Sequence, residues 1–176
     1  MKALVVYESL YGNTAAIGEA IATSLGTHGL EVEVGPTSKV SPTSAVGVDL
    51  LVVGGPTHAH GMSRSSTRKA AVDDKENSFP EPTVEPGLRE WLAGLPSGAG
   101  RLAAAFDTRI DKPLFLTGSA AKGIAKRLDA SGYHLLVEPE CFIVTTKNRL
   151  LEGQTEHAAT WGAALAERAA AGIAAG

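Results

Sequence analysis

Five short apolar runs recur along the chain, separated by turns and by stretches with helical spacing. No other feature constrains the fold as much. A strand that is apolar on nearly every residue must be covered on both faces, and helices returning between successive strands supply that cover. The first run is 3–7, and 15–25 then sets Ile17, Ala20, Ile21 and Leu25 on one helical face, with Thr14 placed to cap it. Residues 30–34 alternate as a second strand, and 50–53 read as a third that Gly54, Gly55 and Pro56 stop. Leu88, Trp91, Leu92 and Leu95 share a helical face, 102–106 form the fourth strand, and Ser119 starts a helix through Ile124, Ala125 and Leu128. The fifth strand is split around Pro139 into 135–137 and 141–145, and an Ala-rich helix over about 155–171 follows, with a Gly-containing tail expected to fray. The pattern predicts an α/β fold built on a doubly wound, five-stranded parallel sheet with helices on both faces.

A chain of 176 residues with 44% hydrophobic and 20% charged residues has material for one core without disulfides or a structural metal, so one domain spanning 1–176 is expected. The exception to the pattern is 63–86, polar and holding three prolines, which predicts a long loop at about 61–86. Arg64, Arg68 and Lys69 in it read as a solvated basic cluster, or as a docking point for a nucleotide phosphate or an acidic partner. A net charge of −3 gives no footprint for nucleic acid. Cys141 is the only cysteine and reads as a buried strand residue in a reducing compartment. The five histidines show no metal-ligand spacing, so no metal is expected. No signal-peptide pattern opens the chain and no apolar run approaches the roughly 20 residues of a membrane span, so the expected location is the cytoplasm, with no membrane partner.

The segment with chemical content is Ser9-Leu10-Tyr11-Gly12-Asn13-Thr14, between the first strand and the first helix. Backbone N–H groups and the helix dipole favour an anion there. Ser9, Asn13 and Thr14 add side-chain donors, and Gly12 lets the backbone close around a single phosphate. No Lys or Arg lies between Glu8 and Thr14, so the cation of a GxxxxGK[ST] triphosphate site is missing and ATP and GTP are disfavoured. The GxGxxG spacing of a dinucleotide pyrophosphate site is missing too, which disfavours NAD as a tightly held cofactor. A phospho-acceptor receiver would want Asp at the end of the third strand, where glycines stand. A low-molecular-weight phosphatase would want a cysteine in the first loop.

On these residues the chain resembles the flavodoxin family. Its loop 9–14 looks like that family's phosphate loop for flavin mononucleotide (FMN). Gly54-Gly55-Pro56-Thr57-His58 resembles the loop covering one face of the flavin, and Phe106-Asp107-Thr108-Arg109 is similar in place to the loop on the other side. The resemblance implies the strand order 2-1-3-4-5, FMN as cofactor in preference to FAD, and cofactor contacts from Ser9, Leu10, Tyr11, Gly12, Asn13 and Thr14. It also implies contacts from Pro56, Thr57 and His58, and from Asp107, Thr108 and Arg109. The tryptophan and tyrosine that commonly flank the ring in that family are missing, since Trp91 and Trp161 sit at core spacing and the ring would meet His58 or His60 and Arg109 or Ile110.

The implied function is electron transfer between redox partner proteins, a reductase and an acceptor. The alternatives are an NAD(P)H-dependent quinone or flavin reductase, which would bind NAD(P)H directly, and a flavin-free binding module. His58 is the candidate proton donor to a reduced ring, and Asp107 is expected near the ring's pyrimidine edge, where its charge opposes reduction.

Overall fold

The computed structural model describes residues 1–58 and 60–174. Strands β1 (Lys2–Tyr7), β2 (Glu31–Pro36), β3 (Leu50–His58) and β5 (Leu102–Ile110) lie parallel in the order β2-β1-β3-β5. The two short strands β6 (His134–Leu135) and β7 (Glu140–Val144) both pair with β5, one beyond the other, as the split fifth strand. The order is therefore the expected 2-1-3-4-5, with strand four labelled β5 because a two-residue strand, β4 (Gly61–Met62), hooks back antiparallel on the end of β3.

Side chains alternate across a strand, and β1 shows both faces buried. Ala3, Val5 and Tyr7 join a core with Ile17, Ile21 and Leu25 of helix α1 (Asn13–Thr27) and Trp161 and Leu165 of α6 (Gln154–Ala174). Leu4 and Val6 join a second core, against Leu88 and Trp91 of α3 (Leu88–Ala93) and Ile124 and Leu128 of α5 (Ala120–Ala130). Both tryptophans thus fill cores, Trp91 with its indole N–H donated to the Val40 carbonyl at 2.8 Å. A Cβ on Gly54 would run into the Phe106 ring, so the first glycine after the apolar run of β3 is there for close approach, and the strand continues through it.

Three expectations change. Strands three and four run on to His58 and Ile110, so the segments read as loops around Gly54 and Phe106 are strand. The polar stretch 61–86 contains β4 and helix α2 (Ser65–Asp73), which carries Arg68 inward. Arg68 is fully buried, 2.8 Å from Glu85, 3.2 Å from Glu90 and 4.0 Å from the buried Glu8, and only Arg64 and Lys69 of the expected basic cluster are exposed. The last helix continues past residue 171 to Ala174, while 175 and 176 of the expected fraying tail lie outside the described residues. No helix among the described residues is long and apolar enough to cross a membrane.

Candidate functional site

Parallel register brings the carboxyl ends of β1, β3 and β5 level: Tyr7 stands beside Gly54, and Pro56 beside Thr108. The chain leaving β1 turns through 9–12 into α1, whose N-cap is Gly12 at φ 86°, a left-handed conformation that favours glycine. Thr14 does not cap the helix. It lies in its first turn, almost fully buried, and its hydroxyl shares a 2.8 Å hydrogen bond with that of Thr108, tying α1 to β5.

Between Ser9 and Ala15 the backbone donors are free. The Ser9 N–H donates to Thr83 Oγ1 at 3.1 Å and the Ala15 N–H to Ser9 Oγ at 3.2 Å. The N–H groups of Leu10, Tyr11, Gly12, Asn13 and Thr14 meet no acceptor among the described residues. Consecutive unpaired donors at a helix N-terminus are a preformed anion cradle.

The carbonyl side of the loop is held from behind by 74–86. The Thr83 N–H donates to the Ser9 carbonyl at 2.7 Å, Asn77 Nδ2 to the Leu10 carbonyl at 2.9 Å, and the Tyr11 hydroxyl to Asp74 at 3.1 Å. The Phe79 ring lies 2.9 Å from where a Gly12 Cβ would be. This strap is in turn fastened by Arg68, which donates to the Val84 carbonyl at 2.7 Å. Composition hid this role, because strap residues make backbone contacts without periodicity. Phe79, an isolated aromatic in a polar stretch, was the one available signal.

A cleft of about 280 Å³ opens beside the loop. Leu10, Tyr11, Asn13 and Thr14 line it from the loop, Pro56, Thr57 and His58 from β3, and Thr108, Arg109 and Ile110 from β5. Ser9, Gly12 and Asp107 do not reach it; the first two shape the loop, with Ser9 buried. Asp107 stands within β5, not at the head of a loop, and its carboxylate is buried: Oδ2 accepts from Thr57 Oγ1 at 2.9 Å, Ser119 Oγ at 2.7 Å and the Ala121 N–H at 3.0 Å. Position 107 therefore fastens the start of α5 to the cleft wall.

Burial lowers the pKa of His58, which keeps its imidazole neutral near pH 7: it can donate one N–H hydrogen bond, and its second ring nitrogen carries no proton to give. Cys141 is half-buried, and its thiol is pushed up by burial and by Asp107, which leaves it a poor nucleophile. His60 is exposed, with φ 72°, and bridges to Gly118. Just beyond the cleft, the one-turn helix α4 (Leu114–Thr117) exposes Leu114, Leu116 and Phe115, the last at 82%. That apolar rim has no periodic signal in the sequence, because Asp111, Lys112 and Pro113 separate its three residues from β5.

A doubly wound sheet with its cleft at the carboxyl strand ends defines a ligand-binding α/β fold. More particularly, the fold is flavodoxin-like. A flavodoxin from the domain Archaea matches at TM-score 0.66 and 21% identity, over 96% of this chain and 99% of that one. Flavodoxin 2 from Bacillus cereus matches at TM-score 0.68 and 19% identity, over 96% and 99%. The flavodiiron core Flv1 from Synechocystis matches at 0.65 and 13%, over 98% of this chain and 36% of that one. No family model and no curated protein sequence matches the chain.

Proposed function

We infer that the chain binds FMN, with the phosphate on the loop 9–14, and carries electrons between a reductase and an acceptor protein. The observation behind this reading is the unbroken run of unpaired N–H groups from Leu10 to Thr14, opening into the cleft at the ends of β3 and β5. The loop has neither a cation nor a carboxylate of its own between Ser9 and Thr14, so a dianionic phosphate would be held by backbone donors, the helix dipole and the Asn13 and Thr14 side chains. The flavin ring fits between Pro56, Thr57 and His58 on one side and Thr108 and Arg109 on the other.

Bound FMN supplies the redox chemistry, and the protein sets what approaches it. His58, kept neutral by burial, offers a hydrogen bond at that wall without adding positive charge. The strap behind the loop keeps the cradle in shape before ligand arrives, which reduces the ordering cost of binding. Leu114, Phe115 and Leu116 form an exposed apolar rim next to the cleft, and a rim of this kind supports docking of a partner protein better than it supports an enclosed substrate pocket. The cytoplasm is the compartment that fits such a carrier.

The test is titration of the purified chain with FMN, followed by flavin fluorescence and melting temperature. Quenching and a concentration-dependent rise in Tm support the reading. If saturating FMN changes neither, a flavin-free binding module is left. Fast direct oxidation of NADPH with quinone, without a reductase partner, would instead mark the NAD(P)H-dependent reductase.

A further inference from the structure

Successive side chains of β3 point to opposite faces of the sheet. Thr57 donates to Asp107, whose carboxylate also accepts from the Ala121 N–H of α5, so Thr57 lies on the α5 face. His58 therefore stands on the other face with Thr108, which is level with Pro56 and meets Thr14 of α1 through its hydroxyl. There His58 lines the cleft, half-buried. Among the described residues, the polar contacts of histidine rings are those of His28 and the 4.0 Å approach of His157 to Glu140, so both ring nitrogens of His58 are unpartnered.

Few charges surround that imidazole. Arg109 of β5 and the Tyr11 phenol of the loop line the same cleft, and Tyr11 is kept protonated by burial and by its bond to Asp74. Arg109 Nη1 is committed to the carbonyls of Lys112 at 2.7 Å and Ile110 at 3.3 Å. His60 and Lys112 line a second hollow, which Thr57 shares. The basic turn after β7, with Lys147 and Arg149, reaches the cleft through Asn148, whose carbonyl accepts from Asn13 Nδ2 at 2.9 Å. Among the described residues, no carboxylate lines the cleft. Burial alone lowers the His58 pKa, with no charged partner acting on it.

A group kept neutral by desolvation takes up a proton when a negative charge appears beside it. Reduction of a flavin supplies that charge, because a ring that gains two electrons and one proton becomes an anion. The phosphate of FMN is the same before and after reduction, and Arg109 is charged in both states. Neither contributes to the difference. Resting on the flavin reading above, we propose that His58 takes one proton from solvent when the bound flavin is reduced, holds it as an imidazolium against the anionic ring, and returns it to water on reoxidation. The balance is two electrons from a protein reductant, one proton to the ring and one to His58, so the net charge of the complex does not change. On reoxidation the electrons pass to the acceptor protein and both protons go to water. The low-dielectric cleft is thus spared an uncompensated charge, and the driving force of the carrier depends on pH. His58 stores its proton on the protein and does not donate it to the ring.

The test is long-range ¹H–¹⁵N NMR of the full chain, labelled at histidine and loaded with FMN, at about pH 7 before and after reduction with dithionite. The His58 signals are assigned by their loss in His58→Gln. A neutral ring is expected with oxidised FMN and a doubly protonated ring with reduced FMN. Potentiometric titration gives a second readout. In the wild type the two-electron equilibrium is expected to change about hundredfold per pH unit just above neutrality, about 59 mV, and in His58→Gln about tenfold, about 30 mV. A His58 ring with the same protonation in both redox states, or equal slopes in the two proteins, overturns the proposal and leaves the FMN reading standing, because both are measured on the loaded chain. A chain that takes up no FMN overturns both.

Discussion

Replacing Arg68 by alanine removes a fully buried cation directly behind the phosphate loop. Its guanidinium donates to the Val84 carbonyl, to Ser63 Oγ at 3.3 Å and to Glu85, and lies 4.0 Å from Glu8. The carboxylates of Glu85 and Glu90 are about half exposed and can turn to water, so their pairs count for little. Glu8 cannot, being fully buried, and its Oε1 meets no partner among the described residues. Breaking a buried pair from one side costs about 3 to 5 kcal/mol, which for a chain of this length lowers Tm by roughly 6 to 20 °C. The pH dependence is a second readout. Burial holds the Glu8 carboxyl above its ordinary 4.5, opposed by hydrogen bonds from Ser63 and the Leu88 N–H and by Arg68. A carboxyl with a raised folded pKa is protonated preferentially in the native state, so its contribution is complete below the unfolded pKa and is lost as pH rises through the folded one. Without Arg68 that folded value rises further, and Arg68→Ala is therefore expected to be destabilised more at pH 8 than at pH 5. Urea denaturation at both pH values, with Glu8→Gln in the Arg68→Ala background restoring part of the loss at pH 8, tests this. A loss below about 1 kcal/mol, or one that does not depend on pH, would refute the account of the buried pair.

Other outcomes follow from the loop and its supports. Thr14→Ala is expected to weaken FMN by about 1 to 3 kcal/mol and to leave riboflavin binding unchanged; equal losses for both ligands, in parallel fluorescence titrations, would separate Thr14 from the phosphate. Gly12→Ala forces an alanine to φ 86° against the Phe79 ring and should cost about 1 to 2 kcal/mol, and a urea midpoint equal to the wild type would show that the loop relaxes freely. Asp107→Asn removes the charge from the oxygen that accepts all three donors and leaves an amide N–H group at the buried position of Oδ1, which meets no partner among the described residues, so a loss of about 1 to 3 kcal/mol is expected. An unchanged Tm would mean that Asp107 does not fasten α5.

The amino-acid order determines what is local or periodic. Doubly apolar strands, the helical faces of Ile17 and Leu128, the split at Pro139 and the glycine at the head of α1 each carry their signal within a few residues, because covering a strand or closing a turn constrains the residue at that position. Tertiary structure decided the rest. That Gly54 lies inside a strand depends on Phe106 of the neighbouring strand, and that Arg68 is buried depends on Glu8, 60 positions earlier, and Glu85. The pairing of Thr14 with Thr108, the strap behind the loop and the basic turn fastened by Asn13 to Asn148 join segments far apart in sequence. Side chains of this kind are polar, aperiodic and chemically indistinguishable from solvated surface until packing withdraws water from them, and only then does their hydrogen bonding select one arrangement.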